Sequence, residues 1–284
     1  MKLDQNTKIL IVGLGLIGGS YAKALTKKGF TVKCITRSQS SVDYALKEGM
    51  IAYGTTEPDP ALIGEADLTV FALYPHVFEE WIRNYGKYLK KGSVITDVTG
   101  VKKCIVDKIQ SILPDGVEFI AAHPMAGREV YGVENSDDGI FRGANFIIVP
   151  TEKNTAEAIR WIGGLGRILG FSRISVLSPE EHDEMIGYLS QLTHCIAVAL
   201  MTCSDNEHLV DYTGDSFRDL TRIANINDLM WSELFMLNRE SLLKYMDIFL
   251  DEFAALRDMI RDGRVDELRE KMRLSTKRRA YFNK

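Results

Sequence analysis

The chain has 284 residues, 45% of them hydrophobic and 26% charged, with a formal net charge of −4. That length suits one large domain or two ordinary ones, and the composition is that of a folded globular chain, not a disordered one. With no basic stripe, no apolar run near the roughly 20 residues of a membrane helix and no signal-peptide pattern at the start, the expectation is neither nucleic-acid nor membrane binding.

The segment "KILIVG" (8–13) is a short apolar run closed by glycine, as in a buried parallel strand; "GSYAKALTKKG" (19–29) follows with helical spacing. "FTVKCIT" predicts a second strand and "SSVDYALKEG" a second helix. A strand at "ADLTVFAL" (66–73), a helix within 77–90 and a strand at "GSVITDV" (92–98) come next. "KKCIVDKIQSIL" has helical spacing, "VEFIAA" and "NFIIVP" (145–150) are strand-like, and "TAEAIRWIGGLGRILG" and "SRISVL" complete the series. This alternation predicts βαβ units in a mainly parallel, doubly wound α/β sheet of Rossmann type.

The pattern changes at "SPEEHDEM", where Ser178 and Glu181 have capping-box spacing and Pro179 takes the first helical position. No strand is expected from there to Lys284. The predicted boundary therefore lies near residue 178, with a dinucleotide-binding domain over 1–178 and an all-helical domain over 179–284. Leu242, Met246, Phe249, Phe253, Leu256 and Ile260 recur three or four apart. That apolar surface is too broad for one shallow contact and must be buried in the domain or in a partner.

"GLGLIG" places Gly13, Gly15 and Gly18 in the spacing GxGxxG, directly after a strand and at the opening of a helix. Gly13 suits the tight turn, Gly15 the approach of a pyrophosphate, and Gly18 close helix–strand packing. Leu16 and Ile17 lie at the helix N-terminus, which attracts phosphates. Near the end of the second strand, where NAD binding calls for an acidic side chain, stand Arg37 and Ser38, with no carboxylate until Asp43. An arginine beside hydroxyls receives a 2′-phosphate, so the expected cofactor is NAD(P), with NADP favoured over NAD. A solvated arginine beside adenine would still permit NAD.

In "VEFIAAHPMAGREVYG" the apolar run Val117 to Ala122 stops at His123, which Pro124 follows. An imidazole just after a strand lies on the carboxyl edge of an open α/β sheet, where ligands bind. Tyr74, Pro75 and His76 share that edge, as do Asp97 to Gly100. On position alone, a packing role for a lone histidine is the more common one.

The string "HPMAG", with "DVTGVK", "SQLTHCIAVAL", "FRDLTRIA" and the glycine fingerprint, resembles the prephenate and arogenate dehydrogenase family of tyrosine biosynthesis over essentially the whole chain. The resemblance implies NAD(P)-dependent oxidative decarboxylation of prephenate or arogenate, giving 4-hydroxyphenylpyruvate or tyrosine. It implies that His123 is catalytic and contacts the ring hydroxyl, and that His194, with Ser190 one turn earlier, binds substrate together with Thr99. Arg222 would bind a substrate carboxylate; without the resemblance, Asp219 and Arg222 would be an ordinary helix ion pair. Some relatives have a second histidine where Gln191 stands. Some have a serine that bonds the catalytic histidine where this chain has Gly100, making the neighbouring Thr99, or a water, the expected substitute. Arg128 and Glu129 stand where some relatives have gating residues. Tyr131 and "SDDGIFRGAN" are expected to cover the cleft, and Trp231 either lines it or belongs to the core.

The resemblance further implies a homodimer through the helical domains, and neither a regulatory ACT domain nor a fused chorismate mutase is expected. Two alternatives share some of these features: a β-hydroxyacid dehydrogenase or imine reductase of the same layout, and a non-catalytic NADP-sensing protein. The joint presence of His123, His194 and Arg222 argues against both. Cys34, Cys104, Cys195 and Cys203 form no CxxC pair and fit free thiols in a reducing, cytoplasmic setting. No metal site is expected.

Overall fold

The computed structural model describes residues 3–283. Strands β1 (Ile9–Val12), β2 (Val32–Ile35), β3 (Tyr53–Thr55), β4 (Leu68–Phe71), β5 (Val94–Asp97) and β6 (Glu118–Phe119) form a six-stranded sheet in the order β3-β2-β1-β4-β5-β6. Every pairing in it is parallel. Helices α1 (Leu16–Lys27), α2 (Gln39–Lys47), α3 (Pro60–Glu65), α4 (Pro75–Tyr85) and α5 (Lys103–Ile112) lie between successive strands in the chain. The central strands are buried on both faces, as parallel strands covered by helices must be. Ile9, Ile11 and Val70 pack with Tyr21 and Leu25 on one side, while Leu10, Val12 and Phe71 pack with Phe78 and Ile105 on the other. Strand β3 and helix α3 were not legible in the sequence; both are short.

The remaining strands do not extend this sheet. β7 (Ala121–Met125), β8 (Asn145–Val149) and β9 (Arg173–Val176) form a separate sheet in the order β7-β8-β9, with helix α6 (Ala156–Leu169) between the last two strands in the chain. β7 and β8 are antiparallel, and β8 and β9 parallel. The reason that the parallel sheet stops at β6 is local. The Ile120 N–H still bonds the Ile95 carbonyl, but the next inward N–H, that of Ala122, goes to the Asp97 carboxylate at 3.0 Å. A side chain thus ends the parallel ladder, and the chain pairs with β8 instead. His123 accordingly lies inside a strand, opposite Ile147, and not just beyond a strand end. Pro124 is tolerated there because β7 is the edge of its sheet.

Helix α7 (Pro179–Ile186) runs through a π turn at Gly187–Gln191 into α8 (Leu192–Thr202). Its capping box is formed: the Ser178 hydroxyl accepts the Glu181 N–H at 3.1 Å, and the Glu181 carboxylate accepts the Ser178 N–H at 2.8 Å. The run Pro179–Thr202 is long and apolar enough to cross a bilayer by composition. Within it, however, the buried Asp183 carboxylate accepts the Lys102 and Lys103 N–H groups. Helices α9 (Asp215–Thr221) and α10 (Asp228–Leu237) follow, and no strand comes after β9 among the described residues. Packing divides the chain into a unit ending at Asn238 and one beginning at Arg239, whereas the change from alternating to all-helical sequence falls at Ser178. The second unit is the helical pair α11 (Arg239–Arg261) and α12 (Val265–Arg279), joined through Gly263 at φ +66° and linked by Lys271 and Glu252.

Candidate active site

A cavity of about 640 Å³ opens where the strand order reverses beside β1 and β4, the place where doubly wound sheets bind ligands. Its walls come from the β1–α1 turn, the segments after β4 and β5, strand β7 with the loop to Gly132, the α7–α8 run, and α10.

At one end lies the glycine turn. Gly13 has φ +93°, and a Cβ there would overlap the Ala72 carbonyl oxygen. A Cβ on Gly18 would overlap the Gly13 carbonyl oxygen, so this glycine lets α1 press against the turn. Gly15 is different: it has nothing within 4 Å of an added Cβ. Gly15, Leu16, Ile17 and Gly18 line the cavity at the α1 N-terminus, whose free N–H groups suit a pyrophosphate. The turn therefore fits a dinucleotide. Arg37 also lines the cavity, but Ser38 does not. The Ser38 hydroxyl accepts the Ser41 N–H at 3.2 Å as the N-cap of α2.

His123 lines the middle of the cavity. Its Nδ1 lies 2.9 Å from Nε2 of His182, and His182 Nδ1 lies 2.7 Å from Oδ1 of Asp183. Both oxygens of Asp183 also accept backbone N–H groups at the start of α5, from Lys102 at 2.8 Å and Lys103 at 2.9 Å. The orientation expected from Thr99 is thereby corrected. Thr99 lines the cavity, yet its hydroxyl is engaged by the Asp97 carboxylate, the Val101 carbonyl and the Lys102 ammonium. Lys102 and Asp97 form a fully buried ion pair at 2.7 Å beneath this loop. Removing one partner of such a pair leaves an uncompensated charge, at a cost of about 3–5 kcal/mol. Burial first, then the electrostatic influence of His182 and Lys102, hold the His123 imidazole well below its ordinary range. Burial likewise lowers His182, against the opposing pull of Asp183, and lowers Lys102 against Asp97. His123 is thus a neutral acceptor at neutral pH.

The far wall carries Ser190 and His194. The His194 ring stacks on Trp231 with centroids 3.6 Å apart, which places that tryptophan in the cleft wall. His194 Nδ1–H donates to the Ser190 carbonyl at 2.8 Å, and desolvation lowers the pKa of the ring. Gln191 touches the cavity, but its amide is spent on the Leu234 carbonyl at 3.0 Å and the Asn238 amide at 2.8 Å.

Arg222 follows the end of α9 in a single 3₁₀ turn, and its guanidinium bonds Glu129, not Asp219. Glu129 lines the cavity, whereas Arg222 does not. Tyr131 lines the mouth, but residues 136–145 do not cover it. They pack on α1, where Lys23 donates to the Ser136 carbonyl at 2.7 Å and the Asp137 N–H donates to Ser20 at 2.9 Å. No group of three or more metal-ligating side chains occurs among the described residues. His182 and Asp183 were missed by sequence reasoning. Their only signal is an adjacent ionisable pair in a capped helix, and no spacing rule ties His182 to a partner 59 residues away.

The description "prephenate dehydrogenase, nucleotide-binding domain" matches residues 21–166, and "prephenate dehydrogenase, dimerization domain" matches residues 178–274. The chain is 32% identical over 258 residues to the prephenate dehydrogenase of Lactococcus lactis, spanning 87% of this chain and 70% of that protein. It is 29% identical over 280 residues to the cyclohexadienyl dehydrogenase of Zymomonas mobilis, spanning 95% and 94%. The solved prephenate dehydrogenase of A. aeolicus, in complex with hydroxyphenyl propionate and NAD+, matches with a TM-score of 0.89 and 28% identity, over 99% of this chain and 100% of that one.

Proposed function

This chain belongs to the prephenate dehydrogenase family, and from that premise we propose that it oxidatively decarboxylates prephenate or arogenate with NAD(P). The observation that carries the reading is the placement of His123, a neutral imidazole in one cavity with the glycine turn on one side and Ser190 and His194 on the other.

Gly15, Leu16, Ile17 and Gly18 would hold the pyrophosphate, with Gly13 shaping the turn behind them. The bound nicotinamide supplies the hydride acceptor. His123 would take the proton of the ring hydroxyl as the hydrogen on the same carbon leaves as hydride, so that the C–O bond becomes a carbonyl. The carboxylate then leaves as carbon dioxide, its electron pair makes the ring aromatic, and the oxygen takes a proton back to give the phenol. General base help of this kind is worth roughly 10²–10⁴ in rate. Ser190 and His194 position the side chain of the substrate, and Thr99 closes the floor beside the ring. Arg222 exchanges Glu129 for a substrate carboxylate, a task suited to a planar guanidinium.

We assign residues 1–178 to dinucleotide binding and 179–284 to substrate binding and assembly, a division supported by family matches of which the first ends at residue 166 and the second begins at residue 178. A homodimer is supported by the dimerization description of the second match, and by Phe253 and Ile260 of α11, 62% and 67% exposed in a single chain. NADP is favoured over NAD because Arg37 lines the cavity beside the glycine turn, and a guanidinium grips a dianionic 2′-phosphate.

The test is reduced-nicotinamide absorbance with prephenate or arogenate and each cofactor, for the wild type and Arg37→Ala. Turnover of neither acid sinks the activity. Loss of the NADP advantage in the variant, with NAD kinetics unchanged and the difference shrinking in salt, is expected. Wild-type preference for NAD, or equal losses with both cofactors, would remove Arg37 from phosphate recognition.

A further inference from the structure

We propose that His182, held by Asp183, is the positioning residue that fixes His123 in the tautomer whose Nε2 is free to accept a proton in the cavity. The proposal rests on His123 being the base in the reaction assigned above.

The argument is a chain of donors and acceptors. Asp183 accepts the Lys102 N–H on Oδ1 and the Lys103 N–H on Oδ2, so it acts as an acceptor anchored to the start of α5. Its 2.7 Å bond to His182 is then donated by His182 Nδ1–H. A neutral imidazole carries only one N–H, which leaves His182 Nε2 as an acceptor. The 2.9 Å bond between the rings is therefore donated by His123 Nδ1–H. With Nδ1 protonated, His123 presents a bare Nε2, and no hydrogen bond among the described residues engages that atom. The reverse tautomer would leave two lone pairs facing each other across 2.9 Å.

The surroundings hold this order. His182 is fully buried, and its ring lies in contact with the His123 ring at a centroid distance of 5.1 Å and a tilt of 59°. Asp183 is braced a third time, since its own carbonyl accepts the Asn238 amide at 2.8 Å. The Thr99 hydroxyl is spent on Asp97, Val101 and Lys102, and Gly100 has no side chain to offer, so neither neighbour on the β5 loop competes for His123. When His123 takes its proton, the imidazolium keeps its bond to His182, and the Asp183 carboxylate stands one ring further along.

Two variants and two readouts test this. Ligand-orienting partners of this kind are worth roughly 10- to 100-fold in activity. His182→Leu, which removes the acceptor, should lower kcat by about that factor with KM within about threefold. His182→Gln should retain most of kcat, because its amide oxygen can accept from His123 while its NH₂ donates to Asp183. The second readout is independent of turnover: nitrogen NMR of histidine-labelled protein with bound dinucleotide, His123 being assigned by loss of its signals in His123→Asn. The wild type and His182→Gln should show His123 protonated on Nδ1, and His182→Leu should show a mixture of tautomers. An unchanged tautomer and kcat in His182→Leu would overturn the proposal. Should the leucine variant fail to fold, loss of the Nδ1-protonated form in the glutamine variant would overturn it equally. Absent turnover in the wild type with a preserved tautomer contrast would instead count against the assigned reaction alone.

Discussion

In the proposed reaction His123 and Arg222 divide the chemistry between proton transfer and charge recognition, and their environments set what their loss should do. His123→Asn should still bind dinucleotide but lose about 10²–10⁴ in turnover, as expected for removal of a general base. A variant within threefold of wild type would exclude that role. Because burial holds the imidazole below its ordinary range near pH 6.5, the acid limb of kcat/KM should fall below that range, where His123 becomes protonated. Arg222→Ala should chiefly raise KM, since a charged hydrogen bond of about 1.5–3 kcal/mol corresponds to roughly 10- to 150-fold. The side chain is 64% exposed, so the variant should barely change stability. An unchanged KM with a lowered melting temperature would make the Glu129 pair merely structural. At this scale the types of residue were legible, His123 and Arg222 both standing in the strings that carry the resemblance. Their partners were not, because Glu129 lies 93 residues from Arg222 and nothing local links them.

Among the elements, the β1–α1 turn offers the sharpest contrast. Three glycines share one motif but meet three different constraints. Gly18→Ala and Gly13→Ala force a Cβ into backbone carbonyl oxygens, and Gly13 is additionally held at φ +93°. Strain of that kind costs about 1–3 kcal/mol before the clash is counted, so both variants should lower the melting temperature. Gly15 has φ −98° and open space around it, so Gly15→Ala should leave stability unchanged and weaken dinucleotide binding, as measured by titration. Equal destabilisation by all three would contradict the assignment. The π turn is the second functional element: it interrupts a 24-residue helical run where Ser190 and Gln191 face the cavity. Such turns gather at functional sites, and the extra residue alters which side chains share a face. Helical periodicity placed Ser190 and His194 one turn apart, but it carried no trace of this insertion.

For the whole molecule, the buried histidines link stability to pH. His182 is 0% exposed, and burial lowers its folded pKa below the value near 6.5 of an unfolded chain. As the pH falls below about 6.5 the unfolded state binds protons that the folded state refuses. Stability should therefore drop, by at most about 1.4 kcal/mol per pH unit for each such histidine. The carboxylates held low by their partners, Glu65, Asp67 and Asp137, contribute stability above their ordinary range and lose it only at lower pH. Melting curves between pH 7 and pH 5 should then fall with acid, with a shallower slope in His182→Gln. Identical slopes would remove His182 from the linkage. Light scattering should find a dimer at micromolar concentration, and a monomer there would leave the apolar residues of α11 unexplained.

What the sequence determined by itself was local and periodic. The glycine spacing specified a tight turn because Gly13 and Gly18 meet only atoms of the same βα unit and of the segment just after the neighbouring strand. The capping box marked the start of α7 because its two bonds span three residues. Alternating strand and helix patterns specified the parallel sheet around β1 and β4. What only the tertiary structure decided was every choice between competing long-range partners. Whether Ala122 continued the ladder depended on the Asp97 carboxylate, 25 residues away, and that choice put His123 inside β7. Whether Thr99 or His182 held the imidazole depended on which one Asp97 and Lys102 had already engaged. Hydrogen-bond capacity is a property of each residue and can be read along the chain, whereas which partner consumes it is settled only when distant segments compete for the same buried donor or acceptor.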